Sequence, residues 1–119
     1  MDLKIHSITN SGNAAEEHVT LEVIADTDLK NYMIADTTYV DDTSISNKLR
    51  HTYWFVSKSV KKGDFVRLHT GPGTPSSPNN NAKTKTHHFY WGLGKGVWND
   101  TGDVALLLQV TTWRTKKVG

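Results

Sequence analysis

The chain has 119 residues, of which 36% are hydrophobic and 22% charged, a composition typical of one soluble globular domain. It contains no cysteine, which excludes disulfides, iron–sulfur clusters, thiolate zinc sites and a cysteine nucleophile. The formal net charge is only +2, and no apolar run approaches the roughly 20 residues of a membrane-spanning helix. We therefore expect no membrane insertion.

The charges are unevenly distributed along the chain. Residues 1–45 carry nine acids and two bases, a net charge of −7, whereas residues 46–119 carry twelve bases and three acids, a net charge of +9. If the two halves form separate surfaces, the basic surface attracts phosphates or an acidic partner. If strands from the two halves interleave, the charges largely cancel as cross-strand pairs. The sequence is compatible with both arrangements.

Alternation of apolar and polar residues dominates the chain, and helical spacing is nearly absent. Within residues 17–23, Val19, Leu21 and Val23 share one face of a predicted strand, and His18 lies on the other. Similar patterns predict strands at Leu3–Ile5, around Met33–Ile34, and at His51–Ser57, Asp64–Thr70, His87–Trp91 and Val104–Thr112. Seven short strands predict an all-β fold, a single β-sandwich of two packed antiparallel sheets over residues 1–119.

Two connections stand out between these strands. Lys61–Asp64 is a charged tight turn in which Gly63 is suited to a positive φ. Residues 71–81 contain all three prolines together with several Ser and Asn residues, a composition that cannot pack a core. We predict that this segment is a long surface loop and the most mobile part of the chain.

A distinctive block lies near the C-terminus. It reads His88-Phe89-Tyr90-Trp91-Gly92, followed by Gly96-Val97-Trp98-Asn99-Asp100-Thr101-Gly102-Asp103. This block resembles the signature of the lamin tail domain family, and segments 17–22, 31–36 and 61–68 agree with that family in order and spacing. The resemblance covers about residues 15–108.

The resemblance implies an immunoglobulin-like sandwich of the kind found at the tail of nuclear lamins and in many bacterial proteins. It also implies contact with chromatin or DNA and, in bacterial members, attachment to DNA, glycan or the cell envelope. Two features depart from the family pattern: Tyr32 stands where Trp is more usual, and the segment Gln109–Lys117 lacks the expected turn and full closing strand.

The same block has a structural interpretation that does not depend on the family. Large aromatic rings with one N–H each can close the end of a sandwich, and Asn, Asp and Gly favour a tight turn. We therefore assign a core and corner role, rather than ligand binding, to Trp91, Gly92, Trp98, Asn99, Gly102 and Asp103.

Metal binding is a further possibility because the chain has six histidines. His87 and His88 are adjacent in a predicted strand, so they point to opposite faces and cannot hold one ion together. A site assembled across strands from His51, His69 and one of these two is geometrically possible, but surface histidines are the simpler interpretation. No acidic cluster matches a calcium-binding loop. We expect no metal and no cofactor.

Catalysis finds no support in the motifs. The sequence has no Gly-x-Ser-x-Gly elbow and no serine marked by its neighbours as a nucleophile. A Ser-His-Asp arrangement assembled only in the folded chain stays open. Small β-sandwiches usually act as binding modules, so we predict a protein that is not an enzyme.

The residues themselves favour sequence-independent nucleic-acid binding through a basic face. We predict that this face, which would also suit an acidic protein, is formed by Lys48, Arg50, Lys58, Lys61, Lys62, Arg67, Lys83 and Lys85. The alternative is a protein–protein adaptor that uses an edge strand or self-associates. A weaker alternative is glycan binding through Trp54 or Trp113.

The compartment depends on whether the chain is a whole protein. Its first residues lack the apolar core of a signal peptide. A full-length chain of this kind is expected in the cytoplasm, and a domain of a longer bacterial protein is expected outside the cell or at the envelope.

Overall fold

A computed structural model describes residues 1–98 and 102–119 of the protein. Within these residues, the chain forms nine strands and one short 3-10 helix, Leu29–Asn31. The strands are β1 (Leu3–Thr9), β2 (His18–Val23), β3 (Thr27–Asp28), β4 (Tyr32–Thr38), β5 (Thr52–Trp54), β6 (Ser59–Val60), β7 (Phe65–His69), β8 (Thr86–Tyr90) and β9 (Asp103–Gln109).

The strands form two main sheets and a short ribbon. The first sheet has four strands in the order β1-β2-β7-β8, the second has three in the order β5-β4-β9, and β3 pairs with β6. The prediction of an all-β sandwich is confirmed, and the helical content of the described residues is confined to the 3-10 turn.

The core lies between the two main sheets and follows from period-two alternation. Val19 and Leu21 of β2 and Leu68 of β7 are fully buried on one side, and Tyr32 and Ile34 of β4 are fully buried on the other. Successive side chains of a strand point to opposite faces, so each strand places only alternate residues in this core. The other face of each strand points away from this core.

Aromatic side chains pack where β5 and β8 approach each other. Phe55 contacts Phe89 edge-on with ring centroids 5.3 Å apart, and Tyr53 contacts Trp91 with centroids 6.1 Å apart. Such edge-to-face pairs add about 0.5–1.5 kcal/mol each to the stability gained from burial. They join the two sheets along this side of the sandwich.

The two oppositely charged halves of the chain interleave. In the first sheet, β2 from the acidic half lies beside β7 from the basic half, and in the second, β4 lies between β5 and β9. The second sheet therefore alternates the two halves, whereas in the first they meet only between β2 and β7, with β1 and β2 on one side and β7 and β8 on the other.

One strand pairing is parallel rather than antiparallel. β7 and β8 run in the same direction, with Phe65 opposite Thr86 and His69 opposite Tyr90. The connection between them returns along the outer edge of β8, where Ser76 and His88 exchange two backbone hydrogen bonds and Asn79 bridges to Lys85. The predicted surface loop of residues 71–81 is therefore tied to the edge of β8 at these two positions.

The segment Gln109–Lys117 forms no closing strand beyond Gln109, which is the last residue of β9. β9 pairs with β4 along its whole length, from Asp103 opposite Thr38 to Gln109 opposite Tyr32. The prediction extended this strand to Thr112, but regular structure ends at Gln109. The two-residue strands β3 and β6 were not predicted, because two residues are too few to show an alternating pattern.

Candidate functional site

The outer face of the four-stranded sheet carries a groove of about 390 Å³. Its floor is built from the non-core residues of neighbouring strands, among them His18 and Thr20 of β2 and Phe65 and Arg67 of β7. The registers place Thr20 opposite Arg67 and Arg67 opposite His88, so these side chains form one row across the sheet. We call this feature the outer groove.

The turn that follows residue 79 forms one wall of the outer groove. Asn80 Oδ1 accepts hydrogen bonds from the backbone N–H groups of Ala82 and Thr84, and its Nδ2 donates to the hydroxyls of Thr84 and Thr86. Lys83 has a φ of 63°, the left-handed conformation that lets the turn close. One asparagine thus fixes the position of the wall relative to the sheet.

Arg67 is the central charge of the outer groove. Its Nε is buried and has no hydrogen-bond partner among residues 1–98 and 102–119, and no ion pair joins its guanidinium to a carboxylate of these residues. An unsatisfied buried donor costs about 1–3 kcal/mol. An anion in the outer groove would pair with the guanidinium charge, whose planar geometry matches carboxylate and phosphate oxygens.

Three histidines lie beside Arg67 on the same face. His69 Nε2 is 2.8 Å from His88 Nδ1, and the rings of His18 and His69 are 5.2 Å apart. The His69 ring also stacks on Tyr90 at 4.6 Å. The rings of His18, His69, His88 and Tyr90 therefore form one cluster beside Arg67.

These histidines are held in their neutral form. Burial, reinforced by the nearby His18, His88 and Arg67, lowers the pKa of His69 from 6.5 to about 4. Burial is also the main cause of the lowered pKa of His18 and of His88, and Arg67 acts in the same direction on both. An anion bound at Arg67 would reverse part of this effect.

Four of the predicted lysines lie on segments near this face. The turn containing Lys61 and Lys62 packs against the start of β8, since a Cβ on Gly63 would lie 3.1 Å from Thr84. Lys83 belongs to the wall of the outer groove, and the backbone N–H of Lys85 donates to Asp64. The exposed ammonium of Lys61 also pairs with Asp26 at 3.7 Å, which reduces its share of the positive field.

The remaining predicted bases lie elsewhere. Arg50 Nη1 lies 3.6 Å from Asp103 Oδ1 beside the three-stranded sheet, and the carbonyl of Lys48 accepts a hydrogen bond from Thr37 of β4. Lys58 lines a different depression, described below. The structure thus places Arg67 in the outer groove and Lys83 in the turn that forms its wall, with Lys61, Lys62 and Lys85 on adjoining segments, and it does not bring Lys48, Arg50 and Lys58 there.

The aromatic block is placed at the end of the sandwich. Trp98 is buried, with 4% of its surface exposed, and Trp91 is half-buried against it with ring centroids 6.4 Å apart. Gly92 has a φ of 77°, which favours glycine. Gly102 is exposed and Asp103 begins β9, whereas the predicted turn residue Asn99 lies outside the described residues.

The rings proposed for glycan binding do not form a flat platform. Trp54 and Trp113 are each 45% exposed, but their planes meet at 85° with centroids 4.8 Å apart. The Trp54 indole also donates to the carbonyl of Lys30 at 2.6 Å. The contact between the two rings and the Trp54 hydrogen bond to Lys30 therefore fix this edge-to-face arrangement.

A second arrangement, which the sequence pattern did not reveal, lies at the free edge beside β8. Ser77 Oγ is 2.8 Å from His87 Nδ1, and His87 Nε2 is 2.9 Å from Asp64 Oδ2. Ser77 also lines a cleft of about 360 Å³ together with Lys58 and Phe89. We call this cleft the edge cleft. Only the folded chain shows this juxtaposition, since the three residues come from a loop, a strand and a turn.

The histidines do not assemble into a metal site. His51 hydrogen-bonds to Asp36 of the three-stranded sheet, His87 points into the core, and His69 and His88 lie on the outer face. Among the residues described, no group of three or more His, Cys, Asp or Glu side chains is arranged to hold an ion. No helix in the same residues has the length and apolar character needed to cross a bilayer.

No protein-family model matches this chain, and a comparison with curated proteins finds no significant match.

Proposed function

We propose that the outer groove makes the protein a lamin-tail-like binding module, which holds nucleic-acid phosphates there without reading base sequence. The observation that carries this proposal is Arg67, a guanidinium with a buried, unpartnered Nε in a groove whose described lining contains no acid. A phosphate offers both the charge and the acceptor oxygens that this position lacks.

The surroundings of Arg67 favour a nucleic acid over a free phosphate ion. Lys83 lies in the turn that forms the wall, so a phosphate next to the one at Arg67 can meet a second positive charge. Phe65 and His6 form an edge-to-face pair in the groove at 5.8 Å and present ring surface for sugars or bases. Stacking on aromatic rings tolerates every base, so the contact would carry little sequence information.

The proposal is tested with fluorescently labelled oligonucleotides. Anisotropy titrations with a single-stranded 12-mer, from low to physiological salt, should show affinity that falls steeply with added salt. Arg67→Gln should weaken binding about tenfold and reduce the slope of log K against log salt by about 1. Lys48→Gln, a control on the other sheet, should leave both quantities nearly unchanged.

Two results would count against the proposal. The absence of binding at low salt would remove nucleic acid as a ligand. Equal affinity in wild type and Arg67→Gln, with unchanged thermal unfolding in both, would remove the outer groove as the site. Competition by polyglutamate as effective as that by unlabelled oligonucleotide would instead identify an acidic protein surface as the partner.

A further inference from the structure

We propose that Ser77 is an activated nucleophile that accepts acyl groups from small activated esters entering the edge cleft. The proposal goes beyond the binding function and concerns a different part of the molecule. It depends on a relay of hydrogen bonds from Asp64 through His87 to Ser77, with heavy-atom distances of 2.9 and 2.8 Å.

The relay fixes the direction in which the proton moves. Asp64 also accepts hydrogen bonds from the backbone N–H groups of Lys61 and Lys85. Burial by itself would raise the pKa of the Asp64 carboxyl, but these bonds and the one from His87 outweigh it, so the pKa lies below its ordinary value. The carboxylate is therefore ionised near neutral pH and acts only as an acceptor.

An ionised Asp64 determines the tautomer of His87. Since Asp64 accepts, His87 Nε2 must carry the proton, which leaves the lone pair of Nδ1 directed at Ser77. The Ser77 hydroxyl then donates to Nδ1. This is the arrangement of a serine nucleophile with an oriented general base, except that the two imidazole nitrogens are exchanged relative to the chymotrypsin type.

His87 is protected while Ser77 is accessible. Only 3% of His87 is exposed, because it lies on the core face of β8. Ser77 is half-buried and lines the edge cleft, whose apolar wall includes Val56, Pro75 and Phe89. A volume of about 360 Å³ lies at the small end of ligand sites and suits a compact ester with an apolar acyl or aryl group.

Groups that can stabilise a developing oxyanion are present at the same place. Ser76 and His88 form the hydrogen-bonded pair of the ladder, so the backbone N–H of the next residue, Ser77, points away from β8. That N–H has no backbone partner in the described part of the chain. Lys58 lines the edge cleft and adds a positive charge.

The reaction follows from these positions. Ser77 Oγ bonds to the ester carbonyl carbon while its proton passes to His87 Nδ1, and collapse of the tetrahedral intermediate breaks the bond to the leaving alcohol. His87 returns the proton to that alcohol, which leaves Ser77 acylated. Water then attacks the acyl group by the same route, so acid and free serine are the products.

The same hydrogen bonds would also anchor residues 76–79 in a purely structural role, and the experiment separates the two roles. The probe is a fluorophosphonate, in which Ser77 Oγ bonds to phosphorus and fluoride leaves. Intact-mass and peptide analysis of the wild-type protein should show one adduct, on Ser77. Ser77→Ala should abolish it, and Ser76→Ala, which changes a neighbouring residue of the edge cleft, should retain it.

His87→Gln should slow labelling by about 100-fold, the usual contribution of a general base. Ser77→Cys provides a second measurement that depends less on stability: its thiol should react with iodoacetamide at least about tenfold faster than Ser76→Cys at pH 7. Thermal unfolding establishes that each variant is folded. No adduct on Ser77 in the folded wild type, or equal rates for the two cysteines, would overturn the proposal and leave the relay as a structural anchor.

Discussion

At the scale of single residues, Glu17 is the side chain on which the aromatic block depends. Its carboxylate is 99% buried and accepts hydrogen bonds from the backbone N–H groups of Val97 at 2.7 Å and Trp98 at 3.0 Å. Gly96 makes this approach possible, since a Cβ there would lie 2.8 Å from Glu17 Oε1. The alternating pattern of residues 17–23 predicted a strand here but gave no indication of a partner 80 residues away.

Glu17→Gln should lower the free energy of unfolding by about 2 kcal/mol. The amide retains one acceptor oxygen but turns an NH2 group towards a backbone donor, so one buried N–H loses its partner. Urea unfolding followed by tryptophan fluorescence measures the change at an unaltered m-value. Glu16→Gln, at the exposed neighbouring position, should change the stability by less than about 0.5 kcal/mol. Equal effects of both substitutions would contradict this role for Glu17.

At the scale of elements, the sequence predicted where the strands lie better than it predicted which strands pair with each other. Alternation reports only which face a residue takes, and it placed His18 on the outer face and His87 and His88 on opposite faces. Register and sheet order depend on side chains far apart in sequence. The pairing of Arg67 with His88 across a parallel ladder therefore could not be read from either strand alone.

The same limit explains what was missed at the candidate sites. Prolines and asparagines in residues 71–81 predicted a surface loop, and local composition does not show that Ser76 will pair with β8. The sequence therefore did not distinguish Ser77 from the other serine of this loop. The sequence does not show which lysines share a surface, and only the fold shows that Lys48 and Lys83 lie on different parts of the molecule.

The turn at the wall of the outer groove gives a prediction at this scale. Asn80→Ala removes the side-chain hydrogen bonds to Ala82, Thr84 and Thr86, so the wall should loosen locally. We expect a loss of about 1–2 kcal/mol in stability and at least tenfold faster amide exchange at Ala82 and Thr84. Asn81→Ala, an exposed neighbour, is the control. Unchanged exchange in Asn80→Ala would show that the wall is held by other contacts.

At the scale of the whole molecule, strands from the two charged halves pair with each other in both main sheets. Lys4 pairs with Glu22 and Lys61 with Asp26, both at the surface. Surface pairs of this kind contribute little stability. The electrostatic feature with more consequence is the group of histidines around Arg67, because the fold lowers their pKa and so opposes the protonation that histidines of the unfolded chain undergo near pH 6.5.

This group predicts how stability depends on pH. The unfolded chain binds protons at its histidines near pH 6.5, whereas folding lowers the pKa of His69 to about 4 and that of His18 and of His88 in the same direction. Between these values the unfolded state holds more protons, so stability is fully present above about pH 6.5 and falls as the pH is lowered towards 4. Asp64 adds a further loss only below its ordinary pKa of 3.8.

The melting temperature should therefore fall by at least about 5 °C between pH 7 and pH 4.5 at constant ionic strength, measured by differential scanning calorimetry. His69→Gln removes the most strongly shifted imidazole, so its melting temperature should vary less over the same range. A saturating oligonucleotide should also flatten the curve, since phosphates at Arg67 favour protonated histidines nearby. A wild-type melting temperature that stays constant from pH 7 to pH 4.5 would show that these rings are not held neutral by the fold.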